Sequence, residues 1–317
     1  MTVDLVALEQ AATLVHEVVP STPQIRWPLL CDALGTDVWV KHENHGPVGA
    51  FKLRGGLVYV DRLLRRTTPP GLVTATRGNH GQSIALAGAR RGLPVTVVAP
   101  HGNSREKNAA MRALGATLIE HGEDFQSARE HAQVLADRDG LHMVPSFHAD
   151  LVDGVATYAL EMFRALADLD VVYVPIGMGS GVCAVIQVRD ALGLATRVVG
   201  VVSAGAPAYA LSVAAGVPVE HPVTTFLADG MACRTPDAAA LEAIGKGCDH
   251  LVTVTDDEVG AAMKTLYVAT HNVAEGAGAA AWAAAWQERG SLAGRKVAVV
   301  MTGGNVDADV FAEQLQR

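Results

Sequence analysis

Aromatic residues are scarce in this chain of 317 residues, at 5%, so its core has to be packed from small aliphatic side chains. Cysteine is scarcer still. The four present (Cys31, Cys183, Cys233, Cys248) form no Cys-x-x-Cys pair and no zinc-ligand spacing. That argues against a disulfide scaffold, and they read as buried small hydrophobes in a reduced, cytoplasmic setting. There is no run of like charges and no basic stripe. With a formal net charge of -8, nucleic acid is not expected as the main partner. The start, Met1-Thr2-Val3-Asp4-Leu5, lacks the basic-then-apolar pattern of a secretory signal. No apolar stretch is long and unbroken enough to span a bilayer. Low-complexity tracts, repeats and long linkers are missing as well.

Half of the residues are hydrophobic, and alanine, valine, leucine and glycine supply most of the bulk, as in parallel strands covered by small-residue helices. The length allows two domains or one large one. Strand and helix patterns alternate. Strands are expected at 37–41, 71–75, 95–99, 116–120 and 141–144, with helices at 53–66, 81–91, 104–114 and 125–137. A second series follows Pro145: helices at 154–167 and 182–192, strands at 170–175 and 198–202. Thr255-Asp256-Asp257-Glu258 has the hydroxyl and acid of a helix start. An alanine-rich helix at 277–288 carries Trp282 and Trp286, read as core, before a late strand at 296–301. Such alternation implies right-handed crossovers and parallel sheets. The breaks at Pro69-Pro70-Gly71 and Pro145 bracket an alternating unit of its own. It is read as a small inserted α/β domain, 71–148, within a larger domain built from 1–70 and 149–317.

Four segments carry chemistry. Lys52 follows Phe51 in a small-residue, turn-rich stretch, Gly49 to Gly56, where a lysine can lose its proton and attack a carbonyl carbon. Thr76-Arg77-Gly78-Asn79-His80-Gly81-Gln82 follows a strand and opens a helix, whose backbone N–H groups can bind a substrate carboxylate. Val174-Pro175-Ile176-Gly177-Met178-Gly179-Ser180-Gly181 does the same but does not fit G-x-G-x-x-G, which favours a phosphate monoester over a dinucleotide. Met301-Thr302-Gly303-Gly304-Asn305 places a hydroxyl at a strand end, suited to a heteroaromatic nitrogen. Each segment alone is an ordinary turn. Together, at the strand ends of an open sheet, they supply what one cofactor needs, pyridoxal 5′-phosphate.

The chain resembles the fold type II (tryptophan synthase β-like) pyridoxal phosphate enzymes, in their serine/threonine dehydratase branch. The resemblance rests on Pro20-Ser21-Thr22-Pro23, Lys41-x-Glu43-Asn44, Phe51-Lys52-x-Arg54-Gly55, Gly78-Asn79-His80-Gly81-Gln82, the Gly177 loop and Gly303-Gly304-Asn305, and so covers nearly the whole chain. It implies two open parallel-sheet, three-layer domains with the cofactor in the cleft between them. It also implies a Schiff base at Lys52, with Phe51 against the ring and the phosphate held by Gly177, Met178, Gly179, Ser180 and Gly181. Asn79 would meet the ring hydroxyl and Thr302 the pyridine nitrogen. Thr76, Gly78, Asn79 and His80 would surround the substrate carboxylate, with Arg77 beside them among the substrate-binding residues. The implied activity is dehydration and deamination of a β-hydroxy amino acid of the threonine or serine type, with Lys52 as general base, in a cytoplasmic homodimer.

Some residues depart from the branch. Arg77 stands where dehydratases and serine racemases usually carry Ser or Ala, which argues against efficient racemisation. Its guanidinium either recognises an anionic substrate group such as the second carboxylate of 3-hydroxyaspartate, or faces solvent and braces its loop. Val202, Ser203 and Ala204 occupy the strand end where metal-activated relatives often have a glutamate, so no metal is expected there. The His42-Glu43-Asn44-His45 run needs none either, since the family pattern accounts for Glu43 and Asn44. The chain ends soon after Gly303-Gly304-Asn305, so a C-terminal regulatory domain is not expected. The competing readings are a β-replacing synthase of the same fold and a non-catalytic binding protein that has kept the scaffold.

Overall fold

The computed structural model describes residues 4–317. With strands numbered in chain order, one sheet has six: β1 (Gln24–Arg26), β2 (Asp37–His42), β7 (Val171–Pro175), β8 (Arg197–Ser203), β9 (His250–Val254) and β10 (Lys296–Met301). Their order across the sheet is β1-β2-β10-β7-β8-β9. The other sheet has four: β3 (Leu72–Ala75), β4 (Val95–Ala99), β5 (Thr117–Glu120) and β6 (His142–Met143), in the order β5-β4-β3-β6. All neighbours are parallel except β1 and β2, which pair antiparallel with Ile25 opposite Val40. The link between those two, residues 27–36, is too short for a full crossover, so the chain returns antiparallel at the edge. The pattern did not reveal β1 or β9.

Helices cover both faces of the larger sheet. Its central strand β7 is buried along its whole length, as a strand covered on both sides must be. The helix Gly276–Gln287 packs on one face with its residues buried from Gly276 to Ala285. Trp282 lies in this core at 2% exposure, whereas Trp286 is 42% exposed and carries the Arg289 guanidinium over its ring at 4.6 Å. The expectation of two core rings therefore holds for one. Cys31, Cys183 and Cys233 are buried. Burial pushes the thiols of Cys183, Cys233 and Cys248 up to about 12, which makes them inert packing residues. Among the described residues no helix is long and apolar enough to cross a membrane.

One crossing fixes the helix that matters most for the site. Helix Ala149–Ala165 starts earlier than the pattern suggests because His148 accepts from the Asp150 amide. It touches helix Lys52–Arg66 backbone to backbone: a Cβ on Gly154 would come within 2.3 Å of the Arg54 carbonyl. The contact closes over a buried charge cluster. The Arg54 guanidinium, 0% exposed, binds Glu43 at 2.8 Å and Glu161 at 2.6 Å, and Lys41 binds Glu161 at 2.6 Å. Thr22 donates to Glu43 at 2.5 Å. Two cations face two carboxylates, so the cluster is balanced, and it pins the first turn of the helix that begins with Lys52.

Removing one member unbalances the rest. Burial works to raise the Glu161 carboxyl, but Arg54 and Lys41 outweigh it and bring it down to about 2 from 4.5. With the folded value depressed, its stabilisation is complete above about pH 4.5 and is lost as pH falls toward 2. Glu161→Gln should cost about 3 kcal/mol or more at pH 7, measured by urea unfolding. A loss below about 1 kcal/mol would show that the cluster does not hold this crossing.

Candidate active site

Three of the four segments leave the C-terminal ends of β3, β7 and β10 directly, and the Lys52 segment follows β2 after a short turn at Glu43–His45, so all four lie where an open sheet presents its ligand crevice. They line a single cleft of about 900 Å³, solvent at its mouth included, within the usual size of a small-molecule site. Phe51, Lys52, Thr76, Arg77, Gly78, Asn79, His80, Gly177, Met178, Gly179, Ser180, Gly181 and Thr302 all lie on its wall. None of the sequence-predicted site residues falls elsewhere.

Lys52 opens its helix at the floor of the cleft. Its Nζ donates to Ser180 Oγ at 2.8 Å and sits 4.7 Å from the centre of the Phe51 ring. Solvent in the cleft reaches part of the side chain, while protein surrounds the amine. Burial lowers its pKa from 10.5 to about 8, with Glu275 pulling weakly the other way. About a tenth of the amine is therefore neutral and nucleophilic at pH 7, against far less than a hundredth for a solvated lysine. Phe51 is held edge-on against Tyr158, whose hydroxyl donates to the Gly181 carbonyl at 3.1 Å.

Ser180 begins the helix Ser180–Ala191, reached through Gly179 at φ 96°, a left-handed turn. The amides of the first helical turn have no carbonyl partner within the helix. They make an anion site beside the Lys52 amine. A second helix start faces it. Helix Asn79–Arg90 begins two residues before the expected Gly81, because Thr76 Oγ accepts from the amides of Gly78 at 2.9 Å and Gly81 at 3.2 Å and folds the loop into the first turn. That leaves the Thr76 hydroxyl proton and the Asn79 and His80 amides for a ligand. The Asn79 side chain is largely taken: its Nδ2 donates to Glu275 at 2.6 Å and its Oδ1 accepts from Asn305 at 2.8 Å. Only one N–H is left for a ring hydroxyl. Burial, with Lys52 adding, lowers His80 to about 3, so it works as a neutral imidazole. Its Nε2 has no partner among the described residues.

Sequence reasoning missed Lys107, Asp229 and Glu275, which also line the cleft. Lys107 comes from the four-stranded side. Its Nζ lies 2.6 Å from Asp229 and 3.0 Å from Glu275, both on the six-stranded side. Burial would lower the lysine, but Glu275 and Asp229 outweigh it and keep it charged. The fully buried Glu275 carboxyl is raised by its burial, and the Asp229 charge adds to this. One cleft thus holds two lysines of opposite character, an amine that gives up its proton and an ammonium locked between acids. The helix of Lys107, Arg105–Ala113, is further held by Asp307, which accepts from Ser104 Oγ at 2.5 Å and from the Arg105 and Glu106 amides at 3.2 Å. In the sequence Lys107 looks like any charge on a surface helix. Only folding brings it onto Glu275.

This donor set fits a phosphorylated aldehyde. It offers a readily deprotonated amine, a phosphate-sized helix start within reach of that amine, and a neutral hydroxyl at Thr302. Competitive labelling with acetic anhydride tests the electrostatics without any ligand. In the cofactor-free protein Lys52 should reach half-maximal reactivity near pH 8, and a midpoint above pH 10 would contradict the assignment.

Comparison with known proteins agrees with this geometry. The family described as pyridoxal-phosphate dependent enzyme matches residues 15–303. L-threonine ammonia-lyase of Thermotoga maritima is 31% identical over 305 residues, 96% of this chain and 76% of that protein. Threonine dehydratase 2 of Solanum lycopersicum (biosynthetic, chloroplastic) is 31% identical over 299 residues, 93% of this chain and 50% of that protein. The chain therefore spans about half the length of the plant relatives it matches. The structure of the processed form of threonine deaminase isoform 2 from Solanum lycopersicum superposes with a TM-score of 0.90 at 29% identity, covering 99% of this chain and 94% of that one. With its tryptophan synthase β-like architecture and its matched motifs, this chain belongs to the pyridoxal-phosphate-dependent enzyme family.

Proposed function

We propose that this protein is a lyase that eliminates water from a β-hydroxy amino acid of the threonine or serine type, the resulting imine being hydrolysed to a 2-oxo acid and ammonia. The observation that carries the reading is the Lys52 amine, lowered to about 8 and bonded to Ser180 at 2.8 Å, facing a second anion-binding helix start across the cleft. The domain split at 70/71 and 148/149 belongs to this reading. Residues 1–70 and 149–317 would hold the cofactor and 71–148 would bring the substrate loop to it.

Lys52 would hold the cofactor covalently, with Gly177, Met178, Gly179, Ser180 and Gly181 on its phosphate, Phe51 and Asn79 beside its ring and Thr302 at its nitrogen. When bound, pyridoxal phosphate supplies an electron sink for the carbon that loses its proton. The remaining work falls to side chains. Thr76 and the amides of Gly78, Asn79 and His80 would orient the substrate carboxylate, and so the α-hydrogen, toward Lys52. Gly78's amide already donates to Thr76, so Asn79 and His80 carry most of that task. The freed Lys52 Nζ takes the α-proton as general base, a role its lowered pKa suits. His80, held neutral, adds no positive charge that would compete with that proton transfer. Thr302 would offer the ring nitrogen a neutral hydroxyl in place of a charged acid, which suits elimination of the β-hydroxyl.

The protein reconstituted with pyridoxal phosphate should release 2-oxobutyrate from L-threonine or pyruvate from L-serine, followed by a coupled NADH assay. Lys52→Ala should lower the rate by about 10³-fold or more. Absence of 2-oxo acid, with cysteine formed instead from O-acetylserine and sulfide, would move the assignment to a β-replacing synthase.

A further inference from the structure

We propose that Arg77 recognises a second anionic group on the substrate, so that the preferred β-hydroxy amino acid carries a carboxylate on its β-carbon, as 3-hydroxyaspartate does. The proposal rests on the dehydratase reading and sharpens it. Arg77 lies on the cleft wall with Phe125 and Ser146. It is half-buried, and its Nε is buried with no hydrogen-bond partner. The other charges on the wall are accounted for. Lys107 lies between Asp229 and Glu275, and Lys52, with its amine on Ser180, is the lysine assigned to the cofactor. Among the described residues Arg77 forms no ion pair. The acid that feels its charge, Asp124, spends its carboxylate on the Ser127 amide and hydroxyl, both at 2.8 Å, where it caps the helix Phe125–Asp139. Arg234, the other cation acting on Asp124, is 59% exposed and near Glu220.

The buried Nε lacks an acceptor, which forfeits a hydrogen bond, and this half-buried cation gains a counter-charge only if a ligand anion comes to its guanidinium. The substrate's α-carboxylate already has hosts in the Asn79 and His80 amides and the Thr76 hydroxyl, so the unmatched donor fork calls for a different anion. The planar fork of an arginine fits a carboxylate in two-point contact. The balance for such a substrate needs no co-reactant. The α-proton and the β-hydroxyl leave as water, the resulting enamine tautomerises to an imine, and water hydrolyses that imine to oxaloacetate and ammonia.

Two measurements on the holoenzyme test this. Calorimetric binding of malonate against propionate reads the second anion directly, independent of turnover. The wild type should prefer malonate by about tenfold or more. Arg77→Ala should lose that preference and Arg77→Lys keep part of it. Equal affinity for the two acids, or a preference that survives Arg77→Ala, would overturn the proposal. In turnover, the ratio of kcat/KM for 3-hydroxyaspartate to that for threonine should fall about 100-fold in Arg77→Ala, mainly through KM. An equal loss on both substrates would make Arg77 a partner of the α-carboxylate and also overturn it. If no β-hydroxy amino acid releases a 2-oxo acid, the dehydratase reading fails, while the malonate comparison still decides whether Arg77 binds an anion.

Discussion

The site depends on a lysine whose charge the protein does not support. The Lys52 amine sits among apolar and backbone groups, with a serine hydroxyl as its hydrogen-bond partner, and burial brings it to about 8. The contrast with Lys107 in the same cleft makes the point. That lysine is just as enclosed, yet two carboxylates stabilise its charge. Burial alone does not make a nucleophile; burial without a close counter-charge does. Glu275 serves both lysines differently: it pairs with Lys107 at 3.0 Å and reaches Lys52 only as a weaker, more distant influence.

Holding a readily deprotonated amine in a defined place requires rigidity elsewhere. It comes from the buried Arg54, Glu43, Glu161 and Lys41 cluster, which locks the start of the helix Lys52–Arg66 against the helix Ala149–Ala165. On the other side, the Asp307 cap and the Lys107 pair fasten the helix Arg105–Ala113, which belongs to the four-stranded side, onto the six-stranded side. The two sheets therefore meet across the cleft through polar contacts, the Lys107 pair enclosed and the Asp307 cap nearer the surface. Such contacts are sensitive to geometry, since a displaced partner leaves a buried charge alone.

Much of this was legible in the sequence. The strands and helices from 37 to 144 follow the alternation closely, because β-branched runs and turn glycines mark each change. The four site segments could be picked out because chemistry at strand ends uses short local motifs. What stayed hidden depends on contacts distant in sequence. The edge strand β1 is three residues long and gives no periodic signal. Glu275 reads as the residue before an alanine-rich helix, and Lys107 as a solvated charge, until the fold joins them. Asn79 was expected to be free for a ligand, and its commitment to Glu275 and Asn305 is visible only once residues some two hundred positions apart are neighbours. Arg77 was conspicuous from the start. What the structure adds is that, among the described residues, no carboxylate takes it up.

The most direct measurement is the site of attachment. The protein loaded with pyridoxal phosphate should be reduced with borohydride, digested and mapped by mass spectrometry. A single pyridoxyl adduct on Lys52 is the result this account predicts. An adduct on Lys107, or none in the cleft at all, would contradict it.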